Sequence, residues 1–506
     1  MTALPRIHLA IIQPVGYVHA LGFLDQARYF RQQFRRLGAE VSLAKNRLRE
    51  DAVNFVFGAH LGFPAEWQRR HACVMVNLEQ LGRGGADLDP AYLELLRRSA
   101  VVDYDRGNVA SYAQDPLDVP VVPFGYAAYL DPAEPVPLEQ RPIDLLFFGS
   151  MNPRRQRFIE RIERQGFSVA TFDSPLYGPE RDQFIAQAKA VVNCHYYEAN
   201  RFEQARAFHT LSLGTPMISE RTAATQPAPA FEDSVLWLDD SQLDTWFARH
   251  FNTPAFFDQA RQALANFRQP DAAHDPLEAY ADLLAFATGF GQAFARTRSS
   301  EPWRPRALNL GSGKDYKPNW VNIDILDRAE PDLVLDLGQA VSLPLEAPTR
   351  LGGRVRLEAG QLDLVYANNV LEHVPDLPML MGNALALLKE GGEFHIEVPY
   401  EKALTAWQDP THLRALNENS WVYYTDWFWY LGWYEHRFEI AQFQWLDLQL
   451  QPCAKERAAF MRTALRKVVT SPRERIAART MQADFGGIDE DRIPAELCLS
   501  PASEHV

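Results

Sequence analysis

The stretch from residue 306 to residue 324 constrains the fold of this chain more than any other. A short apolar run at 307–310 ends in the glycine turn Gly311-Ser312-Gly313, and a second apolar run at 320–323 ends in Asp324. This pattern predicts a strand, a tight turn and a second strand that is closed by an acid. Glycines allow the backbone of such a turn to approach a ligand, and a carboxylate at the end of the next strand suits the two hydroxyls of a ribose.

Three later segments extend this pattern. Residues 332–337 predict a third strand that ends in Asp336, residues 362–374 predict a buried strand followed by Leu-Glu-His, and residues 384–398 predict a helix, a Gly-Gly stop and another strand. This order of motifs resembles the class I S-adenosylmethionine-dependent methyltransferases over roughly residues 304–448. The resemblance implies S-adenosylmethionine as the cofactor and a set of cofactor-binding residues, namely Gly311, Ser312, Gly313, Asp324, Asp336, Leu337 and Asn368.

Methyl transfer to a sugar hydroxyl requires close positioning of the two reactants and a general base. The candidate catalytic residues are His373, in Leu-Glu-His, and Asp409 and His412, in Gln-Asp-Pro-Thr-His. Such Asp-Pro-Thr-His segments resemble those of methyltransferases of surface-glycan pathways. Asp409 and His412 would hold a base in one tautomer, or bind a divalent metal ion with one more ligand. The structural alternatives are a capped turn at Asp409 and a packing role for His373.

The first half of the chain alternates predicted strands and helices. It begins with a strand at 6–13 and a helix at 22–37, and a strand at 119–123 completes the first set. A linker rich in Pro and Glu follows at 131–141, and a second set begins with a strand at 144–148. Such alternation predicts mainly parallel sheets, with ligand-binding loops at the carboxyl ends of the strands.

Together these two sets, over about residues 6–269, resemble a GT-B-type glycosyltransferase. The turn at Gly149, with Arg154 and Arg155 at a helix start, would form a diphosphate cradle, the alternative being a solvated helix start. The resemblance implies a nucleotide-sugar donor as co-substrate. The residues that it implies for binding this donor are Gly149, Arg154, Glu198, Glu203, Arg206 and Gly214.

The match departs from the family pattern at one place. Retaining enzymes of this fold carry two glutamates eight residues apart, and those positions are Arg201 and His209 here. Glu203 and Arg206 are one helical turn apart, so a surface ion pair is the plain alternative to a role in binding. Retaining stereochemistry therefore does not follow from the resemblance, and the first half is either a glycosyltransferase or a degenerate, non-catalytic module.

The length of 506 residues predicts two or three domains, because single cores rarely grow so large. A net charge of −14 argues against nucleic acid as the main substrate. The four cysteines show no paired spacing, which favours reduced thiols over a disulfide framework or a zinc site. No apolar run is long enough to span a bilayer, and no signal peptide is expected, so the predicted location is cytoplasmic.

Two segments leave alternatives open. The aromatic run at 421–434 would stack on sugar rings or form a wall of the core. Residues 451–506 are predicted to be a basic helical tail, which would pack on the methyltransferase or make peripheral contact with an anionic membrane. The apolar stripe of this helix consists of Phe460, Met461, Ala464, Leu465 and Val468.

The sequence thus predicts an α/β protein with two Rossmann-like domains in a GT-B arrangement, at 1–132 and 133–295, a class I methyltransferase domain at 300–450 and the tail. The working hypothesis is a bifunctional glycosyltransferase and O-methyltransferase. Its substrate would be a sugar of a bacterial-type surface glycan or glycolipid precursor. The alternative is an S-adenosylmethionine-dependent methyltransferase with a non-catalytic, GT-B-like glycan-binding module.

Overall fold

The computed structural model describes residues 4–269 and 275–486. The chain divides into two compact units, Met1–Ser299 and Ser300–Val506. The first unit contains two five-stranded parallel sheets, and the second contains a seven-stranded, mainly parallel sheet. The predicted fold class, α/β with Rossmann-like parallel sheets, is confirmed.

The first sheet is built from the amino-terminal part of the first unit. Its elements are β1 (Ile7–Ile11), α1 (Phe23–Arg36), β2 (Val41–Lys45), β3 (Val53–Phe57), β4 (Ala72–Asn77), α2 (Pro90–Arg98), β5 (Ala100–Asp103) and α3 (Arg106–Val109). The strand order is β2-β1-β3-β4-β5. Every residue of β1, β3 and β4 is buried, as expected for a parallel sheet that is covered on both faces.

The strand predicted at 119–123 is wrong. This segment makes only a single bridge, between Val121 and Asp103. Pro120 and Pro123 flank the bridge and have no N–H group to donate to a neighbouring strand, so the ladder cannot extend.

The second sheet and its helices complete the first unit. The elements are β6 (Ile143–Leu146), α4 (Pro153–Glu163), β7 (Val169–Ala170), α5 (Pro179–Gln187), β8 (Ala188–Asn193), α6 (Gln204–Ser212), β9 (Met217–Glu220), α7 (Pro229–Glu232), β10 (Leu236–Leu238), α8 (Leu243–Arg249), α9 (Pro254–Arg268) and α10 (Leu277–Thr297). The strand order is β10-β9-β8-β6-β7. Helix α10 packs back on helix α1 beside the first sheet, and its Tyr280 contacts the rings of Tyr29, Phe30 and Phe34.

The second unit has a sheet of a different order. Its elements are β11 (Ala307–Leu310), β12 (Val321–Asp324), β13 (Leu333–Val334), β14 (Leu345–Pro348), β15 (Arg354–Leu357), β16 (Leu362–Asn368), α11 (Leu377–Leu387), β17 (Leu388–Pro399), α12 (Val422–Thr425), β18 (His436–Leu446), β19 (Phe460–Val469) and α13 (Pro472–Gly486). The order is β13-β12-β11-β16-β17-β19-β18, and β19 runs antiparallel to both of its neighbours. Strands β14 and β15 form a separate antiparallel hairpin.

The predicted helical tail is wrong over residues 460–469, which form strand β19 inside the sheet. The side chains of Met461, Thr463, Leu465 and Lys467 are buried, whereas Arg462 and Arg466 are nearly half exposed. This alternation has the period of a strand, and the buried Lys467 obscures it in the sequence. Lys467 is accommodated because its Nζ donates to the carbonyl of Leu388 at 2.7 Å. Among the described residues of the tail, α13 is the only α-helix, and Lys455–Arg457 form a short 3₁₀ turn.

The aromatic run at 421–434 contains both buried rings, which form part of the core, and exposed rings, which could contact a ligand. It forms short helical turns, in which Trp421, Tyr424, Phe428 and Trp429 are buried. The rings of Tyr423, Trp427 and Tyr430 are each about 45% exposed and lie 5.3–6.1 Å from one another. These three residues, called here the aromatic patch, are the part that is accessible to a ligand.

Over residues 4–269 and 275–486, no helix has both the length and the apolar character that a membrane crossing requires.

The position of Leu465 in β19 leads to a test of the corrected fold. Leu465 is fully buried and in register with Phe394 and Ile440. Leu465→Ala should therefore lower the free energy of unfolding by about 2–5 kcal/mol, because it leaves a cavity in the core of the sheet. Arg466→Ala, at the next position on the exposed face, should change it by no more than about 1 kcal/mol. Urea denaturation followed by tryptophan fluorescence measures both; equal effects of the two substitutions would contradict the strand.

Candidate functional site

The glycine turn of the second unit lies where the strand order of the sheet reverses. Strand β11 is flanked by β12 and β16, so a crevice opens at the carboxyl ends of β11 and β16. Gly311 and Gly313 have φ angles of 62° and 47°, in the left-handed region that favours glycine. A Cβ on Gly311 would lie 2.4 Å from Cγ2 of Val370, which follows β16. The turn is therefore packed directly against the segment that leads to Leu371, Glu372 and His373.

Asp324 closes β12 beside this turn, as the sequence predicts. Its carboxylate accepts hydrogen bonds from the backbone N–H of Gly313 at 2.9 Å and of Leu326 at 2.8 Å. Each carboxylate oxygen still has a free lone pair. The hydroxyl of Ser312 is buried and has no hydrogen-bond partner among the described residues. A nucleoside would meet these unused polar groups, so the residues present fit the adenosyl part of the implied cofactor.

The remaining cofactor-binding candidates lie at the same end of the sheet. Strand β13 stops at Val334, so Asp336 is in the turn after it rather than at its end; its side chain accepts from the N–H of Gly338 at 2.8 Å. Leu337 is buried, with 1% of its surface exposed. Asn368 ends β16, and its side-chain Oδ1 accepts a hydrogen bond from Nδ2 of Asn369 at 2.9 Å.

The two candidate histidines, far apart in sequence, meet in space. The ring centroids of His373 and His412 are 4.7 Å apart. The backbone joins their segments, because the N–H of Leu413 donates to the carbonyl of Glu372 at 2.8 Å. The Asp-Pro-Thr-His loop thus lies directly on the Leu-Glu-His turn, which itself follows the segment packed on Gly311.

Asp409 caps its own turn and also acts on His373 through Thr411. Its Oδ1 accepts from the backbone N–H of Thr411 at 2.8 Å and from the Thr411 hydroxyl at 2.7 Å. These hydrogen bonds lower the pKa of Asp409. Because the hydroxyl proton of Thr411 points to Asp409, its oxygen accepts from Nδ1 of His373 at 3.0 Å. The capped turn and the positioning role are therefore compatible.

Glu372 is the residue of this site that sequence reasoning missed. It is only 2% exposed, and neither carboxylate oxygen has a hydrogen-bond partner among the described residues. Oε1 lies 3.9 Å from Nε2 of His412. Burial raises the pKa of Glu372 to about 7. A Leu-Glu-His triplet gives no sign of this, because only the short 3₁₀ turn Leu371–His373 directs the glutamate inward.

A separate cavity of about 660 Å³ lies between the two sheets of the first unit. Its walls come from residues that follow strand carboxyl ends: Glu79 and Gln80 after β4, Tyr104 after β5, and residues 147–150 after β6. Parallel α/β sheets bind ligands at this end of their strands. The cavity is in the size range of a small-molecule site.

Arg155, Arg206 and Glu203 form a buried charge cluster at one wall of this cavity. Glu203 pairs with both arginines, at 2.6 Å from Arg206, and Arg206 also donates to Asn193 at 2.7 Å. Burial favours a higher pKa for Glu203, but the charges of Arg206 and Arg155 outweigh it and the pKa is lowered. Burial lowers the pKa of Arg206 to about 10. Two cations on one anion leave a net charge of about +1. The ion pair between Glu203 and Arg206 does form, but these side chains are only 17% and 12% exposed, so the pair is largely buried rather than on the surface.

Gly149 borders this cluster and has a φ of 130°. A Cβ at this position would lie 2.5 Å from Nη2 of Arg206, so a larger residue would displace the guanidinium.

Three of the predicted donor-binding residues do not line the cavity. Arg154 instead pairs with Glu220 at 2.5 Å and with Asn200 at 2.7 Å, and Glu198 is exposed. Gly214, with a φ of 74°, ends helix α6, and its carbonyl accepts from Arg141 at 3.0 Å. Glycine is favoured at this position because the end of the helix requires a left-handed backbone conformation.

A second buried network lines the cavity, and no sequence motif predicts it. Arg181 donates to Asp25 at 2.7 Å and lies 2.8 Å from Nε2 of His209, which is also 2.7 Å from Asp182. Asp25 is on α1 and Arg181 on α5, so this contact joins the two halves of the first unit.

A family model described as a methyltransferase domain matches residues 267–444. The C-terminal part of the chain therefore carries a methyltransferase domain, and S-adenosylmethionine is the cofactor that this implies. The match begins within the last helices of the first unit and ends in β18.

Two proteins of Acanthamoeba polyphaga mimivirus are similar to parts of the chain. Uncharacterized protein L140 is 26% identical over 157 residues, which cover 29% of this chain and 48% of that protein. Uncharacterized protein L138 is 36% identical over 78 residues, which cover 15% of this chain and 9% of that protein. The chain thus spans less than half the length of each of these curated relatives.

Several solved structures share part of the architecture. A SAM dependent methyltransferase from Archaeoglobus fulgidus is 15% identical, with 32% of this chain and 86% of that chain covered, at a TM-score of 0.22. TarM is 9% identical, with 47% and 55% covered, at a TM-score of 0.35. At these scores the likenesses add nothing to the topology described above.

The contact between Gly311 and Val370 yields a prediction. Gly311→Ala combines a left-handed φ with a 2.4 Å clash, so it should lower the melting temperature by several degrees and impair cofactor binding. Gly313→Ala is the matched control, since its φ is similarly positive but its Cβ would have only one neighbour, at 3.9 Å. Thermal unfolding with and without S-adenosylhomocysteine measures both effects. A Gly311→Ala protein as stable as Gly313→Ala would contradict the packing described.

Proposed function

We propose that the chain carries two transferase activities on glycans. In this proposal the second unit methylates a sugar hydroxyl of a surface glycan or glycolipid precursor, and the first unit transfers a sugar from a nucleotide-sugar donor. The observation that carries the methyl-transfer part is the packing of the glycine turn on Val370, three residues from His373. It brings the cofactor turn and the candidate catalytic groups to the same end of one sheet.

S-adenosylmethionine supplies a methyl group on a sulfonium centre, which an oxygen nucleophile attacks in line. Asp324 would hold the ribose hydroxyls, and Ser312 and the backbone of the glycine turn would contact the same part of the cofactor. Asp336, Leu337 and Asn368 are the candidates for the adenine side. Each of these residues lies at the carboxyl end of a sheet strand or in the turn that follows it.

The acceptor hydroxyl is placed, in this proposal, against His373 and His412. A sugar hydroxyl is a weak nucleophile and requires activation at the moment of transfer. Asp409 fixes the Thr411 hydroxyl, which in turn fixes Nδ1 of His373, so the ring is held in one orientation. Asp409 is therefore a positioning residue, and the histidines are the groups that face the acceptor.

The aromatic patch supports a sugar as the acceptor class. Tyr423, Trp427 and Tyr430 present ring surface to solvent in the same unit as the methyltransferase site. Aromatic faces stack on the apolar faces of sugar rings, and the polar tips of Tyr and Trp bind hydroxyls.

For the first unit, the charge cluster in the cavity supports a nucleotide-sugar donor. Arg155 and Arg206 lie beside the turn at Gly149, and their shared partner Glu203 leaves one positive charge unbalanced. This positive charge would attract a diphosphate, since Arg matches phosphate oxygens in a bidentate manner. Joining two activities on one chain would raise the effective concentration of the intermediate at the second site.

The alternative for the first unit is a glycan-binding module without transferase activity. It is favoured by Arg201 and His209, which stand where retaining enzymes of this fold carry their two glutamates. His209 is buried and bound by Arg181 and Asp182.

Cofactor binding is tested by calorimetric titration with S-adenosylhomocysteine. Asp324→Ala should raise the Kd about 10- to 100-fold, because a hydrogen bond to a charged group contributes about 1.5–3 kcal/mol. Asp327→Ala is the control, since the side chain of Asp327 is 73% exposed and pairs with Arg350 on the surface. Undiminished affinity in Asp324→Ala, or no binding by the unmodified protein, would refute the assigned cofactor site.

Donor binding is tested by titration with UDP and GDP. Arg206→Ala should weaken binding at least about tenfold, because it removes a buried phosphate-binding cation. Two substitutions serve as controls. Arg154→Ala removes an arginine of α4 that does not line the cavity, and Arg157→Ala removes an exposed arginine of the same helix α4. A protein that binds neither nucleotide, yet binds glycan oligosaccharides, would establish the docking module instead. An equal loss of nucleotide affinity in all three variants would show that the overall positive charge, rather than a specific contact in the cavity, causes the binding.

A further inference from the structure

A group of three potential metal ligands is assembled where the Leu-Glu-His turn meets the Asp-Pro-Thr-His loop. Glu372, His373 and His412 each direct one ligand atom into the same space, and these atoms lie within 4.8 Å of one another. In a tetrahedral site with ligand bonds of about 2.1 Å, any two ligand atoms are about 3.4 Å apart. Side-chain movements of less than about 1 Å would therefore bring all three atoms onto one ion.

The first observation that points to a ligand here is the state of Glu372. Its side chain is 2% exposed, and both oxygens are buried without a hydrogen-bond partner among the described residues. A buried carboxylate without a partner is costly, so such groups are normally paired or coordinate a metal ion. Arg414, two residues after His412, does not pair with Glu372, and its Nη2 donates instead to the carbonyl of Pro375.

The second observation concerns the orientation of the two histidines. Nδ1 of His412 lies 2.8 Å from the carbonyl of Ala406, and Nδ1 of His373 lies 3.2 Å from that of Thr411. A carbonyl only accepts, so Nδ1 is the protonated nitrogen in both rings. Nε2 of each ring then carries a free lone pair, which is the arrangement that metal-binding histidines show when their other nitrogen donates to a carbonyl.

From these contacts we infer that Glu372, His373 and His412 bind a divalent transition-metal ion. Two imidazole nitrogens and one carboxylate oxygen select ions such as Zn²⁺, Fe²⁺, Co²⁺ or Mn²⁺, whereas Mg²⁺ and Ca²⁺ prefer oxygen ligands. Three protein ligands leave coordination positions open, as in catalytic rather than structural sites.

The open positions give the ion a role in the proposed methyl transfer. A hydroxyl oxygen bound there would lose its proton to solvent water more readily, because the cation stabilises the alkoxide. The alkoxide oxygen would then form a bond to the methyl carbon of S-adenosylmethionine as the carbon–sulfur bond breaks and S-adenosylhomocysteine leaves. The histidines would then act as ligands and not as free bases, while Asp409 fixes His373 through Thr411. Binding of the ion does not depend on the identity of the acceptor, so the metal site and the glycan proposal stand or fall separately.

The test uses the full-length protein, stripped with a chelator and titrated with Co²⁺. Calorimetry should give one ion per chain, and visible d–d bands should appear in step with binding. Glu372→Gln and His412→Ala should each weaken Co²⁺ binding at least tenfold. His395→Ala is the matched control, because His395 pairs with Glu393 on the surface of the same unit and should leave the titration unchanged.

Far-UV circular dichroism and S-adenosylhomocysteine binding check that the variants fold. If Glu372→Gln fails to fold, the titration of His412→Ala decides the question. Absence of a one-to-one Co²⁺ complex in the unmodified protein would overturn the inference. The same holds for Co²⁺ affinity that is unchanged in the variants, which would place the ion elsewhere, for example on cysteine.

Discussion

The parallel arrangement of strands is the constraint on which both units depend. Parallel strands direct the loops that follow them to one edge of the sheet, so distant parts of the sequence meet there. In the second unit the strand order reverses between β11 and β16, and the glycine turn packs on Val370 at that point. In the first unit the carboxyl ends of the two sheets border one cavity. Every candidate site described above lies at such an edge.

The buried carboxylates of the two candidate sites differ in their partners. In the first unit two carboxylates of the cavity are paired with arginines: Glu203 with Arg155 and Arg206, and Asp25 with Arg181. These pairs cost desolvation energy, and their value lies in fixing the cavity walls rather than in stability. In the second unit Glu372 has no such partner among the described residues. Because of this contrast, the inference of a metal ion rests mainly on the Glu372 carboxylate and less on the two histidines.

The methyltransferase fold could be predicted in large part because its signals are local. A glycine with positive φ, an apolar run and a terminal acid each follow from a few adjacent residues, and the strands at 307–310 and 321–324 lie where the pattern places them. The strand at 460–469 could not be predicted in this way. Lys467 occupies an inward position of β19. It is tolerated there because its Nζ donates to the carbonyl of Leu388, a residue that is distant in sequence.

What the sequence alone determined is therefore the class of the fold, the glycine turn and the acid at the end of β12, because these depend on backbone conformation and hydrophobic periodicity. The tertiary structure decided which side chains act together. Glu372 and His412 are forty residues apart, and Asp25 and Arg181 are 156 apart, yet each pair shares one site. It also decided that Arg155 and not Arg154 faces the cavity, because one position along a helix rotates a side chain by about 100°.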